Sequence, residues 1–271
     1  MSDYTFTELG KDTSYSDSYD SSLLCPIPRV KARQSNDQSK PLPFIGVDIW
    51  TAYELSWLNL DGLPQIAIVE FMVPCDSQSI VESKSFKLYL NSLNGSRFSA
   101  ERAVRETLKK DIENTVGASI ELELLPVDAA ELDGGIPDGL CIDDLQISID
   151  SSPPGVNLLQ AGEELVEEAV YSHLLRSLCP VTGQPDWATV YVRYRGRALT
   201  HESLLRYLIA FRKHQEFHEQ CVERMYCDIH KLVSPEFLEI QAFYTRRGGL
   251  DINPFRSSDA NPIPLSRMNR Q

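Results

Sequence analysis

One order of patterns, met twice, constrains this chain more than any single motif. Residues 66–73, Ile-Ala-Ile-Val-Glu-Phe-Met-Val, form a nearly continuous apolar run ended by Pro74, as a strand with a buried face requires. Further on, Val104, Leu108, Ile112 and Val116 fall four apart, one apolar stripe along a helix of about residues 100–116 that Gly117 is placed to close. Ile120-Glu121-Leu122-Glu123-Leu124 then alternates as a half-buried strand does. With strands read at 44–50 and 53–57, the first half runs β-β-α-β. The order then returns: a strand at 189–194, a helical region at 202–232 and a strand at 237–244. In the helical region Leu204, Leu205, Leu208 and Phe211 make one stripe, and Val222, Met225, Ile229 and Leu232 another. The expected fold class is α+β, a sheet backed by helices, from one unit used twice.

Between the two runs, residues 126–160 turn to Asp, Gly, Pro and Ser; 145–149 could still make a strand, and Pro153-Pro154 reads as a linker. This places a boundary near residue 155. With 271 residues, 42% of them hydrophobic, the chain can fill one large core or two of about 100–130 residues each. Residues 1–40 show neither period and are read as an extended arm, containing Leu9-Gly10-Lys11 and docked by apolar residues such as Leu23, Leu24 and Ile27, with a loop at 35–40. The expected parts are therefore 1–40, 41–155 and 156–271.

The formal charge of −13 repels nucleic-acid backbones and anionic membranes, so a small-molecule partner is expected, with no direct nucleic-acid or membrane binding. No apolar run approaches the roughly 20 residues of a membrane span, and the first residues lack the basic-then-apolar order of a signal peptide. A cytoplasmic protein is expected, with Cys25, Cys75, Cys141, Cys179, Cys221 and Cys227 as free thiols.

Cys179-Pro-Val-Thr-Gly-Gln-Pro-Asp186 holds a thiol and a carboxylic acid at the ends of a segment whose prolines and glycine oppose regular structure. A thiolate adds to an electrophilic carbon, and a nearby acid can protonate the atom on which charge develops. Read alone, the segment is a surface turn, Lys84 and Lys87 a solubilising strand edge, and Arg246-Arg247-Gly248-Gly249 another turn. Cys227-Asp-Ile-His230 has the spacing of half a zinc site but sits in a helical stripe, where packing is the commoner use.

Glu82-Ser83-Lys84-Ser85-Phe86-Lys87-Leu88-Tyr89 resembles the signature of the QueF family, NADPH-dependent nitrile reductases of queuosine biosynthesis. The Cys179–Asp186 block, Phe217-His218-Glu219 and Arg246-Arg247-Gly248-Gly249 resemble the family's other blocks, in its order and at the length of its long form. The resemblance implies two tandem tunnelling-fold (T-fold) units that associate into a homo-oligomer, expected as a homodimer. It implies that a nitrile is reduced to an aminomethyl group with two NADPH and no metal. The thiol of Cys179 would form a covalent thioimide with a deazapurine substrate, Asp186 would donate the proton, and hydride would then reduce the thioimide carbon. Val81, Glu82 and Ser83 would line one wall of the substrate pocket and His218 and Glu219 another, between the two halves. Ser83, Lys84, Arg247 and Gly248 would contact the cofactor. Two other classes fit parts of the pattern: a zinc cyclohydrolase using Cys227 and His230, and a purine-binding module that keeps Glu82 and Glu219 but has no use for the thiol.

Overall fold

A computed structural model describes residue 16 and residues 18–35, 41–149 and 152–271. The chain forms two compact units that interleave in sequence: Met1–Ala32, Val47–Leu132 and Arg246–Ile252 make one, and Arg33–Gly46, Asp133–Thr245 and Asn253–Gln271 the other. A single cut near 155 does not produce these units, because hydrogen-bonded strand neighbours come from distant stretches of chain.

In the first unit a 3-10 turn at Ser21–Leu23 leads into β1 (Pro26–Pro28), after which α1 (Arg29–Ser35) begins. The arm is thus more than an extended strap, although 9–11 and 36–40 lie outside the described residues. It is docked as its apolar residues suggest, with Leu24 and Ile27 buried and Tyr19 donating a 2.7 Å hydrogen bond to Asp111. Next come β2 (Ile45–Leu58), β3 (Pro64–Pro74), β4 (Ser79–Val81), α2 (Ser83–Ser92), α3 (Glu101–Val116) and β5 (Glu121–Leu125). The two strands expected at 44–50 and 53–57 are one, and the gap between them is a register shift against β3 between Ala52 and Leu55. Lys84 and Lys87 lie on the helix α2, not on a strand edge. The α3 stripe is buried throughout, and Gly117 takes the left-handed conformation, φ 70°, as the helix's C-cap. Phe86 of α2 packs edge-on against Trp50 and Phe71, ring centroids 5.3 and 5.2 Å apart. β5, β3 and β2 lie side by side in that order, both pairs antiparallel.

The second unit continues with β6 (Leu140–Cys141), β7 (Ala161–Leu178), β8 (Pro185–Leu199), α4 (His201–Ala210), α5 (His218–Val233), β9 (Phe237–Tyr244) and β10 (Leu250–Ser257), whose first residues belong to the first unit. Residues 145–149 form no strand. The long β7 eludes a reading of alternation because Glu163, Glu164, Glu167 and Glu168 break up its apolar pattern. Cross-strand contacts override that composition: Glu167 stands opposite Arg195 and accepts a 2.7 Å hydrogen bond from it. The helical region is two helices, and Val233, not the half-buried Leu232, closes the second stripe. The order β10-β9-β8-β7-β6 makes this unit's sheet, antiparallel except for β6 against β7.

The repeated order read in the sequence is present: β2-β3-α2-α3-β5 and β7-β8-α4-α5-β9, each with its first strand paired to the second and the second to the third. The short β4 is extra in the first copy. The fold is α+β.

Glu223 on α5 receives two guanidinium groups, Arg33 at 2.9 and 2.7 Å and Arg256 at 2.9 Å, all three side chains buried. Removing this anion takes a buried carboxylate from two buried guanidinium groups at once, so Glu223→Gln is expected to cost about 3–5 kcal/mol in urea unfolding. A loss under about 1 kcal/mol would show that water reaches the cluster.

Candidate active site

In the second unit β7 and β8 form a long hairpin with Ser177 opposite Asp186 and Leu178 opposite Pro185. Beyond them the Cys179 N–H donates to the Gln184 carbonyl and Gly183 N–H to that of Cys179, both at 2.9 Å, with Gly183 at φ 69°. The segment therefore curls and brings its ends together. Cys179 opposite Gln184 puts Cys179 and Asp186 on a diagonal of the ladder and on one face, about 7–8 Å apart at the backbone. The Cys179 side chain is half-buried at the turn, while Asp186 is buried.

The end of β7 also fixes α5. The Leu178 N–H donates to the His214 carbonyl at 2.9 Å, and the Glu216 N–H donates to the Leu178 carbonyl at 3.2 Å. Glu216 itself is buried and held by Arg224 at 2.8 and 3.0 Å. This pins the connection from which α5 starts, so its first residues, His218 and Glu219, are delivered to the hairpin. His218 Nε2 lies 3.3 Å from Asp186 Oδ2, and Glu219 is buried at the helix's first turn. The N-terminal end of a helix favours such negative charge.

Sequence reading did not single out Tyr244. Its ring stacks on His218, centroids 3.7 Å apart and planes 7° from parallel. Burial drives its hydroxyl well above the usual tyrosine range, with Cys221, Ser177 and Asp186 also acting on it. Its signal in the sequence is slight: an ordinary strand alternation that ends on a residue whose hydroxyl must find a partner when buried.

The first unit holds the other expected residues. Val81 ends β4 and is buried. Glu82 is the N-cap of α2: its carboxylate accepts from Lys84 N at 2.9 Å and Ser85 N at 2.7 Å. That is a structural duty absent from its expected role, although an ionised carboxylate has about four lone-pair sites, and two backbone donors leave room for a ligand. Ser83 and Lys84 begin α2. Arg247 and Leu250 exchange backbone hydrogen bonds at 2.9 and 3.3 Å around Gly248 and Gly249, at φ 56° and 72°. A Cβ on Gly248 would come within 3.3 Å of Lys87 Nζ, so an ammonium group stands over the turn. Lys87 thus belongs with the Arg247-Gly248 pair, while Arg246 lies 3.3 Å over the Tyr53 ring.

Cys227 and His230 both lie on α5, where His230 stacks near Tyr226 with centroids 6.0 Å apart. Burial first, then Glu223 and Asp228, push the Cys227 thiol up to about 12. Among the described residues neither belongs to a group of three metal-ligating side chains.

Two outcomes follow from this geometry. Cys221, also raised well above its ordinary value by burial, and Cys227 hold almost no thiolate at pH 8, so iodoacetamide is expected to modify Cys179 well before either. Peptide mapping by mass spectrometry reads this, and equal rates would contradict the burial described. Glu82→Ala is expected to lose about 0.5–2 kcal/mol of stability along with any binding role, measured by chemical denaturation. An unchanged midpoint would remove the cap as a stabilising interaction.

Two family models match the chain: residues 15–124 match one described as nitrile reductase, 7-cyano-7-deazaguanine-reductase N-term, and 185–262 match one described as QueF-like protein. Relatives named NADPH-dependent 7-cyano-7-deazaguanine reductase align nearly end to end. That of Azoarcus sp. (strain BH72) is 51% identical over 93% of this chain and 90% of its own length. That of Burkholderia cenocepacia (strain HI2424) is 52% identical over 94% and 95%. That of Desulfotalea psychrophila (strain LSv54 / DSM 12343) is 48% identical over 97% and 96%. Identity at this level over nine-tenths or more of both sequences leaves one assignment, and the chain belongs to the family of NADPH-dependent 7-cyano-7-deazaguanine reductases.

Proposed function

We propose that this chain reduces the nitrile of 7-cyano-7-deazaguanine to the aminomethyl group, with two NADPH, as a cytoplasmic step of tRNA queuosine biosynthesis. The observation that supports the reading is a hairpin whose turn carries Cys179 and whose second strand carries the buried Asp186, itself 3.3 Å from the half-buried His218, in a chain about half identical to reductases of that name. A nitrile carbon is a soft electrophile suited to a thiol. The Cys179 sulfur bonds to that carbon, one carbon–nitrogen π bond breaks, and the thiol's proton ends on the nitrogen, which gives a thioimide with no change in oxidation state. Asp186 carries the proton between them: it takes it as the thiolate forms and hands it to the nitrogen. His218, 3.3 Å from Asp186 and stacked on Tyr244, holds that carboxylate in place.

Glu219 accepts from the ring N–H groups of the deazapurine, and Val81, Glu82 and Ser83 carry the same recognition role from their own unit. NADPH, when bound, supplies two hydrides in succession, four electrons in all. The ammonium of Lys87 over the Gly248 turn fits an anionic phosphate, and Ser83, Lys84, Arg247 and Gly248 are the residues that would hold the cofactor. The doubled strand–helix order, β2-β3-α2-α3-β5 and β7-β8-α4-α5-β9, supports reading the chain as two T-fold units in tandem, assembling as a homodimer. The purine-binding reading leaves Cys179 and its buried acid without use, and the cyclohydrolase reading leaves Cys227 and His230 without a third ligand among the described residues.

The test follows NADPH absorbance and intact protein mass with 7-cyano-7-deazaguanine. Wild type is expected to oxidise NADPH and to gain the mass of the nitrile when NADPH is omitted; Cys179→Ala is expected to do neither while still binding the ligand. Asp186→Asn is expected to slow adduct formation by about 100-fold or more with Cys179 still alkylated by iodoacetamide. NADPH oxidation by Cys179→Ala at the wild-type rate would exclude the thioimide, and no oxidation by folded wild type would exclude the reading.

A further inference from the structure

Among the described residues a group of three metal-ligating side chains lies in the second unit, away from the Cys179 turn. Cys141, Asp143 and His173 each offer one ligand atom, and these atoms lie within 4.8 Å of one another. Their meeting follows from strand register. β6 pairs in parallel with β7, Leu140 beside Val170 and Cys141 beside Tyr171, and the same offset carried two residues on sets Asp143 against His173. β6 ends at Cys141, and the turn that follows it brings the Asp143 carboxylate to the His173 backbone N–H.

The cluster is built, and its ligands are oriented by partners behind them. Asp143 accepts from Ser172 Oγ at 2.6 Å and from the His173 N–H at 3.0 Å, which aims the carboxylate. His173 Nδ1 contacts the hydroxyl of the buried Thr189 at 2.8 Å, leaving Nε2 as the nitrogen for a metal. A hydrogen bond on one ring nitrogen that fixes the other is the usual support of a ligating histidine. Tyr171 stands edge-on to His173, centroids 5.3 Å apart, with its hydroxyl beside Cys141 and Asp143.

We propose that Cys141, Asp143 and His173 bind a divalent cation of the zinc class, which clips the two-residue strand β6 to β7. One thiolate, one imidazole nitrogen and one carboxylate oxygen suit tetrahedral zinc with a water in the fourth position, whereas calcium and magnesium take oxygen ligands. The role is structural. His173 precedes Ser177 by four residues on β7, about 13 Å along the strand, so the ion stays clear of the reacting thiol. The site stands or falls independently of the proposed reaction.

The test uses the full chain, stripped with a chelator and titrated with zinc chloride. Wild type and Cys179→Ala are each expected to bind one zinc per chain, with affinity at least tenfold weaker in Cys141→Ser and in His173→Gln. Cobalt in place of zinc is expected to show a thiolate-to-metal charge-transfer band that Cys141→Ser lacks. Cys141 is exposed, so its serine variant keeps the test sound should His173→Gln fail to fold. No stoichiometric zinc at micromolar concentration, unchanged binding in Cys141→Ser, or loss only in Cys179→Ala would each overturn the site.

Discussion

The pairing of β7 with β8 is the constraint on which the candidate site depends. The ladder runs from Ala161 opposite Leu199 to Leu178 opposite Pro185, so the turn that carries Cys179 is held at the end of a stiff ribbon. Leu178 then spends its own backbone groups on His214 and Glu216, outside the hairpin. One residue thereby ties the Cys179 turn to the start of α5, and Cys179, Asp186, His218 and Glu219 are set by a common support. A site on such elements keeps its geometry better than one on free loops.

Electrostatics explain the rest of the arrangement. On a chain of net charge −13, the Gly248-Gly249 turn has both signs of charge against it, the Lys87 ammonium over Gly248 and the Glu54 carboxylate against Gly249. Two buried carboxylates and one half-buried one are given donors: Glu82 takes two helix N–H groups, Glu223 takes two guanidiniums, and the half-buried Asp143 takes a hydroxyl and a backbone N–H. Unpaired, such groups would cost more than the fold could offset.

Periodicity and motif spacing alone made much of this protein legible. The stripe of α3 with its Gly117 cap, the strand ended by Pro74, the two stripes of the second half and the doubled order were readable because each is a local pattern. So were Cys179 and Asp186, since the prolines and glycine between them announce a turn. Other features were decided only by tertiary structure, because they arise between residues far apart in sequence. The acid-rich β7 is a strand through its long ladder with β8; Tyr244 stacks on His218 across 26 residues of chain; Glu82 is a helix cap because the chain turns into α2 there. The interleaved units and the meeting of Cys141, Asp143 and His173 follow from strand register, which no local pattern encodes.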